Sequence, residues 1–298
     1  MAKIKQLYLR NYCGYKEVTF DFRDAGDVKR FCLFFGPNGI GKTSILQAIN
    51  QVGNPKQYLG RKNDLVFNKL TYHPDYNPTY AGCIERVHDM YVEAIFQTFQ
   101  GDKKVVLENA GKKRMGVTLC ELDLSGFANF AFWVDADNPM NTQRFQINTK
   151  HVDKFLDLAE AIYGYRCEIP RGPLSEVEEY DPQTKEYVTF CTNFIIYKKY
   201  CGEMTKVHFK RMSAGERKIA TLLQMLCNPL YYDRFDIFLI DNLSMHVYFL
   251  RHAKMVDKFM EHFADKQIIA TDHSGVLIDY VRNAYGLKYL YEIEAYLR

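Results

Sequence analysis

The sequence lacks the features that are typical of membrane proteins, secreted proteins and proteins stabilised by a zinc site. No apolar run approaches the ~18–20 residues of a membrane span. The opening Met-Ala-Lys-Ile-Lys-Gln contains no apolar signal segment, so we expect a cytoplasmic chain with no membrane partner. The eight cysteines form no Cys-x-x-Cys pair. In a chain of this kind they are expected to be reduced thiols, and a zinc site is not expected.

Other features that the sequence lacks exclude further classes of protein. No internal repeat, linker or heptad run is visible, which points to one compact unit. Hydrophobic residues make up 47% and charged residues 25%, a balance that excludes disordered and fibrous chains. The net charge of +3 is too small to imply a nucleic-acid partner by itself. The unusual feature is the aromatic content, with 22 Tyr, 21 Phe and only 1 Trp.

Hydrophobic patterning predicts an α/β fold. Alternating apolar residues predict two amino-terminal strands joined around Gly14. The run Phe31–Phe35 is typical of a strand buried on both faces, and it leads into a glycine-rich turn and a helix from Ser44. In the last third, strands over 237–240 and 267–270 alternate with helices over 213–226, 245–263 and 275–284. This alternation favours a parallel sheet.

The middle of the chain is predicted to be mainly β. A helix is expected over 151–163, and an acidic, proline-bearing surface loop over 171–182. The predicted strands lie at 91–99, 104–107, 117–122, 187–197 and 206–209, with a basic tip before the third of them.

The strongest motif is Gly36-Pro37-Asn38-Gly39-Ile40-Gly41-Lys42-Thr43, which matches the phosphate-binding pattern G-x-x-x-x-G-K-[ST]. Its glycines let successive backbone N–H groups point inward at phosphate oxygens. The lysine supplies positive charge to the phosphates, and the threonine hydroxyl is offered to Mg²⁺. The buried strand before the motif and the helix after it supply the context that this loop requires.

A loop of this kind needs a carboxylate for the metal at the end of another buried strand. Asp241 follows the apolar run 237–240 and is predicted to take that role. Further upstream, Ser213 and Glu216 have the spacing of a helix capping box. The same helix start, with Gly215 predicted to be exposed beside Ser213, is also a second phosphate-binding surface, so both interpretations stand.

Taken in order, these motifs resemble an ABC-type ATPase head of the SMC, RecF and OLD-like group. The segment Gly36–Thr43 matches the Walker A loop of that group, Ser213–Glu216 its signature motif and Asp241 its Walker B aspartate. His273, after the strand over 267–270, matches its switch histidine, and Arg10 and Asn11 match the end of its first strand. The resemblance implies a P-loop NTPase of α/β class with a mixed sheet, an antiparallel β subdomain and a helical signature lobe.

The resemblance also implies the cofactors and the site. ATP and Mg²⁺ are expected between the Walker A loop of one copy and the signature of a second copy, so that nucleotide holds a homodimer or a higher oligomer together. The catalytic set is then Lys42, Asp241, Asn242 and His273, and the metal set is Thr43 and Asp241. The nucleotide-binding set is Arg10, Asn11, Gly36, Asn38, Gly39, Gly41, Lys42, Thr43, Ser44, Ser213, Gly215 and Glu216.

One position departs from the family pattern. The residue after the Walker B aspartate is normally a glutamate that acts as general base, and here it is Asn242. An amide orients water through its carbonyl but does not accept a proton at neutral pH. Three interpretations stay open: slow hydrolysis in an ATP-held switch, a base role taken in part by Asp272 or His273, and an engineered variant that traps ATP. We favour slow hydrolysis.

The chain is predicted to be a lone head over 1–298, without a coiled coil or a nuclease domain. We expect a Walker A lobe over about 1–130, an insert and signature lobe over about 131–232, and a Walker B and switch part over about 233–298. Two function classes follow: a switch or scaffold for a separate effector protein, of the kind found in anti-phage defence, and a DNA-binding repair ATPase of RecF type.

Overall fold

The computed structural model describes residues 1–54, 91–108, 131–134, 145–181, 185–228 and 232–297. The predicted strand over 117–122 and the basic tip before it lie outside these residues. In chain order the strands are β1 Lys3–Tyr12, β2 Tyr15–Asp21, β3 Arg23–Asp24, β4 Asp27–Val28, β5 Phe31–Phe35, β6 Tyr91–Thr98, β7 Gly101–Glu108, β8 Ala131–Trp133, β9 Ile147–Asn148, β10 Cys167–Glu168, β11 Glu176–Asp181, β12 Glu186–Cys191, β13 Ile195–Tyr200, β14 Glu203–His208, β15 Ile237–Ile240, β16 Gln267–Asp272 and β17 Leu290–Glu292.

The described residues also form six α-helices and several short 3₁₀ turns. The helices are α1 Lys42–Gly53, α2 Val152–Tyr163, α3 Ala214–Leu226, α4 His252–His262, α5 Gly275–Tyr285 and α6 Glu294–Leu297. Short 3₁₀ turns lie at Thr149–His151, Phe209–Arg211, Phe249–Arg251 and Leu287–Tyr289.

A five-stranded sheet in the order β17-β5-β16-β15-β8 forms the centre of the fold. Every strand pair in it is parallel. Parallel strands end at the same edge of a sheet, so the carboxyl ends of β5, β15 and β16 lie side by side. The predicted strands over 31–35, 237–240 and 267–270 are therefore confirmed, together with the α/β class.

The central sheet separates two hydrophobic cores. In β5, Cys32 and Phe34 belong to the core around α1, whereas Phe31 and Leu33 belong to the core around α2 and α3. The same alternation holds in β15, where Ile237 and Leu239 face the α1 side. Because both faces of the sheet are covered, the sequences of these strands are continuous apolar runs and do not alternate between apolar and polar residues.

An antiparallel sheet in the order β2-β1-β6-β7 packs over α1. Its first hairpin turns through Cys13 and Gly14, whose φ angles are 46° and 94°. Two successive positive φ angles are what a type I′ turn requires, and this turn suits the twist of two-residue hairpins. The prediction of two strands joined around Gly14 is thus confirmed, and the turn carries Tyr15 toward the start of α1.

The middle of the chain forms two further antiparallel sheets, β10-β13-β14 and β11-β12-β9. The prediction of a loop over 171–182 is wrong for its second half, because Glu176–Asp181 pairs in register with Glu186–Cys191. The predicted single strand over 187–197 is also wrong. It breaks between β12 and β13, where Thr192 N donates to Ser175 O at 2.8 Å and Phe194 enters the core against Phe155.

The helix predicted over 245–263 begins later, with α4 at His252. Residues 245–251 instead form turns, with His246 at φ 66°. Met245 N donates to Asn242 O at 3.0 Å and Val247 N donates to Ser244 O at 2.9 Å, which are turn bonds over three residues rather than helical ones. Just before this segment, the N–H of Ser244 donates to the Asp272 carboxylate.

None of the helices in the described residues is long and apolar enough to span a membrane.

Candidate functional site

The loop Gly36–Thr43 joins the end of β5 to the start of α1, as the motif predicts. Gly41, at φ 103°, is the residue just before the helix. A Cβ there would lie 3.1 Å from the Tyr15 hydroxyl, and that hydroxyl donates to Gly41 O at 3.0 Å. Glycine is therefore required both by the backbone conformation and by the close approach of Tyr15.

Lys42 turns back into the loop. Its Nζ donates to Gly36 O and to Pro37 O, both at 2.8 Å, and the side chain is buried. Burial lowers the pKa of Lys42, and the carboxylates of Asp241 and Asp272 oppose that shift only in part. The loop thus holds an ammonium group inside a ring of backbone groups, an arrangement that suits phosphate oxygens.

Thr43 and Asp241 are brought together across the ends of β5 and β15. Thr43 Oγ1 donates to Asp241 Oδ2 at 2.9 Å, and Thr271 Oγ1 donates to Asp241 Oδ1. Hydroxyl and carboxylate oxygens are ligands that Mg²⁺ accepts. No cluster of three His, Cys, Asp or Glu side chains suited to a metal occurs among the described residues. This donor set fits Mg²⁺ shared with nucleotide phosphates, because such ions take few protein ligands.

Asp272 organises the loops beside that site. Its carboxylate is fully buried and accepts from Ser244 N at 2.5 Å, Ser244 Oγ at 2.8 Å, His273 N at 2.7 Å and Ser274 N at 2.7 Å. The loops after β15 and β16 are therefore tied to one anion. His273 itself is exposed at the end of β16.

Asn242 occupies a left-handed conformation directly after Asp241, a conformation that asparagine tolerates better than most residues. Its N–H donates to Thr271 Oγ1 at 2.9 Å. Its carbonyl accepts from the buried Lys218 Nζ at 2.6 Å. The backbone of Asn242 is thus fixed from both sides, by β16 and by α3.

The signature segment Ser213–Glu216 begins α3 with a complete capping box. Glu216 Oε2 accepts from Ser213 N at 3.0 Å and from Ser213 Oγ at 2.9 Å. Glu216 Oε1 lies 2.6 Å from Lys198 Nζ and 3.7 Å from an Arg251 guanidinium nitrogen. Burial raises the pKa of Glu216, but the hydrogen bonds from Lys198 and Ser213 outweigh it, so the pKa is lowered.

Gly215 is buried, so the expectation that it is exposed is wrong. A Cβ at Gly215 would lie 2.0 Å from His246 O, and the next nearest atoms are also backbone. Position 215 has no room for a side chain, because the loop after Asp241 packs directly on the start of α3. Ser213 remains exposed at the same helix end.

The structure assembles the predicted residues into two groups. Lys42, Thr43 and Asp241 form one group at the ends of β5 and β15. Ser213, Gly215 and Glu216 form the second group, which is joined to the loop after Asp241. Arg10 lies on β1 with its guanidinium 5.3 Å from the centre of the Tyr91 ring, and Asn11 follows it at φ 51°. Asn38 and Gly39 are exposed at the tip of the loop, and Ser44 is half-buried in the first turn of α1.

Sequence reasoning missed Thr271 and Lys218, and it considered Asp272 only as a substitute base. Thr271 and Asp272 end the buried strand β16, much as Asp241 follows β15, so the rule that led to Asp241 could have found their place in the site. Lys218 gave no signal, because a lysine five residues after a helix cap is ordinarily exposed. The buried partner of Lys218 is a backbone carbonyl, which leaves no trace in sequence.

Comparison with known proteins identifies the family and the fold. A family model described as an AAA ATPase domain matches residues 2–221. A DNA replication and repair protein RecF from Flavobacterium johnsoniae is 28% identical over 160 residues, which cover 54% of this chain. The match spans 40% of that relative's own length.

Solved SMC heads share the fold. The SMC head domain from Thermotoga maritima superposes with a TM-score of 0.52 and 15% identity, covering 93% of this chain and 92% of that one. An Smc head bound to the C-terminal winged-helix domain of ScpA gives 0.55 and 14%, covering 93% and 91%. The resemblance to SMC and RecF heads that the motifs predicted is confirmed.

Gly215→Ala should destabilise the protein. The added methyl group would overlap backbone rather than a flexible side chain, and overpacking of this kind costs about 1–3 kcal/mol. Gly275→Ala is the matched control, because it also lies in the first turn of a helix and its Cβ meets nothing within 4 Å. Urea unfolding of both variants tests this, and an unchanged midpoint for Gly215→Ala would contradict the contact.

Acid should remove the contribution of Glu216 to stability. Its pKa is lower in the folded protein, so the ionised form stabilises the fold above the ordinary glutamate pKa. That contribution is lost as the pH falls from this value through the lowered one. Unfolding free energies at pH 7 and at successive acid pH values, for the natural protein and Glu216→Gln, test this. The difference between the two should shrink toward acid pH, and a constant difference would refute the ion-pair explanation.

Proposed function

Because the chain belongs to the AAA ATPase domain family, we propose that it binds ATP with Mg²⁺ at Gly36–Thr43 and acts as an ATP-held switch. Thr43 and Asp241 would hold the metal, and Lys42 with the loop N–H groups would hold the phosphates. Bound Mg²⁺ would neutralise phosphate charge. The already formed contact of 2.9 Å between Thr43 and Asp241 supports this assignment.

One observation supports the switch proposal: the signature segment packs on the loop after Asp241. Gly215 packs on His246, and Lys218 donates to the carbonyl of Asn242. Ser213 stays exposed beyond these contacts. In an ATP-sandwiched pair, Ser213 of one copy would meet nucleotide held by the other copy. A change at one nucleotide would then reach the second through α3 and the Asn242 loop.

Slow hydrolysis is part of the proposal. Asn242 can orient a water molecule but cannot take its proton. Asp272 is a poor substitute, because its buried oxygens already accept four hydrogen bonds. His273 is exposed and would contribute only when a second surface covers it. A pair of heads that hydrolyses slowly stays closed for as long as nucleotide is bound, and this suits a switch or scaffold.

The partner of such a switch is proposed to be a separate effector protein, because the described residues hold a P-loop site and no group of three His, Cys, Asp or Glu side chains that could hold a further metal. We place the pair in anti-phage defence because of the resemblance that its motifs carry. DNA binding, as in a RecF-type repair ATPase, is the second candidate, and the RecF relative favours it. An oligonucleotide shift that depends on ATP and falls with salt would select this second candidate.

ATP with Mg²⁺ should increase the solution mass of the protein. Light scattering after size exclusion, with and without nucleotide, measures this directly. Lys42→Ala removes the ammonium group inside the loop, so it should abolish the mass change. Lys29→Ala is a matched control on the same lobe, where the lysine contacts the ring of Tyr291 at 4.9 Å. A monomer under all conditions would contradict the ATP-held pair.

Asn242→Glu should accelerate phosphate release. A positioned general base is worth about 10²–10⁴ in rate, so the restored carboxylate should raise turnover within that range. Asn242→Gln, which adds length but no base, is the control. Brisk release by the natural protein would show that another residue already supplies the base.

A further inference from the structure

The strands β11 and β12 form a hairpin that projects from the body of the protein; we call it the acidic hairpin. In the described part of the chain, β11 pairs only with β12, and β12 reaches β9 only at Phe190 and Cys191. In the outer half, side chains on both faces are exposed: Tyr180 is 53% exposed, and Glu186 on the opposite face is exposed too. The outer half of the hairpin therefore meets solvent on both faces.

The acidic hairpin concentrates negative charge on a protein whose net charge is +3. Glu176 pairs with Arg171 at 3.3 Å, and Glu179 accepts from Gln146 at 2.8 Å. Glu178 and Glu186 are exposed and form no ion pair with another described residue. Over 176–181 and 185–191, five acidic residues against one lysine give a charge of −4: Glu176, Glu178, Glu179, Asp181, Glu186 and Lys185.

The hairpin also carries an exposed aromatic pair near its tip. Tyr180 and Tyr187 lie opposite each other and contact edge to face, with ring centres 5.4 Å apart. Tyr187 is 73% exposed. Exposed tyrosines framed by charge are typical of protein interfaces, and an isolated two-stranded hairpin gains stability from a partner.

The strands β13 and β14 form a second hairpin of opposite charge, which we call the basic hairpin. With the loop after α2 it borders a cleft of about 400 Å³. Lys199 and Arg166 line this cleft, and Tyr200 and Met204 are 52% and 59% exposed in it. Lys206, on the same hairpin, lies 5.5 Å from the centre of the Tyr197 ring.

We infer that the acidic hairpin of one copy docks in the cleft of the basic hairpin of a second copy. The tyrosine pair would meet Tyr200 and Met204, and the exposed glutamates would meet the lysines. Within one chain the two hairpins belong to different sheets. Reciprocal docking of this kind would close a two-fold pair, and one-way docking would extend head to tail beyond a pair. The contact requires no nucleotide, so it is independent of the proposed ATP-held pair.

The surface chemistry favours a second copy over nucleic acid. Phosphate would be repelled by the acidic hairpin. On the basic hairpin, Glu203 lies among the cations, Glu168 lies on the neighbouring strand β10, and Met204 is an exposed apolar side chain. A nucleic-acid surface is normally more uniformly basic. The matching acidic surface with exposed tyrosines is present in the same molecule.

Sedimentation velocity of the nucleotide-free protein, with a chelator present, tests the inference. At about 0.05 M salt the mass should rise with protein concentration, and at about 1 M salt it should fall to the monomer, because exposed charges are screened. Working without ATP separates this test from that of the ATP-held pair. A monomer at low salt across the concentration range would overturn the inference.

A charge swap provides the sharper test. Glu178→Lys with Glu186→Lys should make the protein monomeric, and so should Lys199→Glu with Lys206→Glu. Mixing the two variants should restore association, because each then presents the charge that the other needs. Each variant alone should weaken self-association about tenfold or more. Restored association in the mixture cannot come from unfolded protein.

Glu261→Lys with Asp279→Lys is the matched control for the glutamate reversal, because it raises the net charge by the same amount at exposed helical positions. It should leave association unchanged. If either charge-reversed variant fails to fold, Glu→Gln and Lys→Gln versions at the same four positions replace it and should show partial loss of association. A mixture that stays monomeric would overturn the inference, as would a fluorescent oligonucleotide that binds the natural protein and loses affinity only with the lysine reversal.

Discussion

The fully buried carboxylate of Asp272 is the constraint on which the rest of the site depends. A buried anion is tolerated only when its lone pairs are occupied, and here four hydrogen bonds from the loops after β15 and β16 occupy them. The same bonds fix Ser244, which lies between Asn242 and His246 in the loop on which α3 packs. Asp272 thus positions this docking surface together with Thr271 and Lys218, which hold the backbone of Asn242.

The loop that Asp272 holds connects the phosphate-binding part of the site to the signature segment. The turn after Asp241 presents the backbone of His246, and only glycine at position 215 allows α3 to approach it. Lys218 then satisfies the carbonyl of Asn242 at 2.6 Å. The signature segment is thus held to this loop by the close approach of Gly215 to backbone and by the Lys218 side chain. These contacts join the Asn242 loop physically to α3.

Sequence alone predicted the parts of the fold that depend on periodicity and local turn chemistry. The continuous apolar runs identified β5, β15 and β16, and the glycine spacing identified the loop before α1. Prediction failed where tertiary hydrogen bonds replaced local ones, as in the residues before α4. It also failed at β11, because a charged strand pairs through backbone groups that leave little pattern in the side chains.

The candidate site shows the same contrast between features that local sequence patterns predict and features that tertiary contacts decide. Lys42, Thr43 and Asp241 belong to motifs whose spacing encodes their chemistry, and the structure brings the last two within 2.9 Å. Gly215 was identified by its motif but assigned the wrong environment, because exposure depends on what packs against a residue rather than on its neighbours in sequence. The exposed Ser213 and the buried Gly215 adjoin one helix end. Gly215 faces the chain's own Asn242 loop, whereas Ser213 is exposed and, in the proposed ATP-held pair, would face the second copy. The two contacts would then couple the sites of the pair through one helix end.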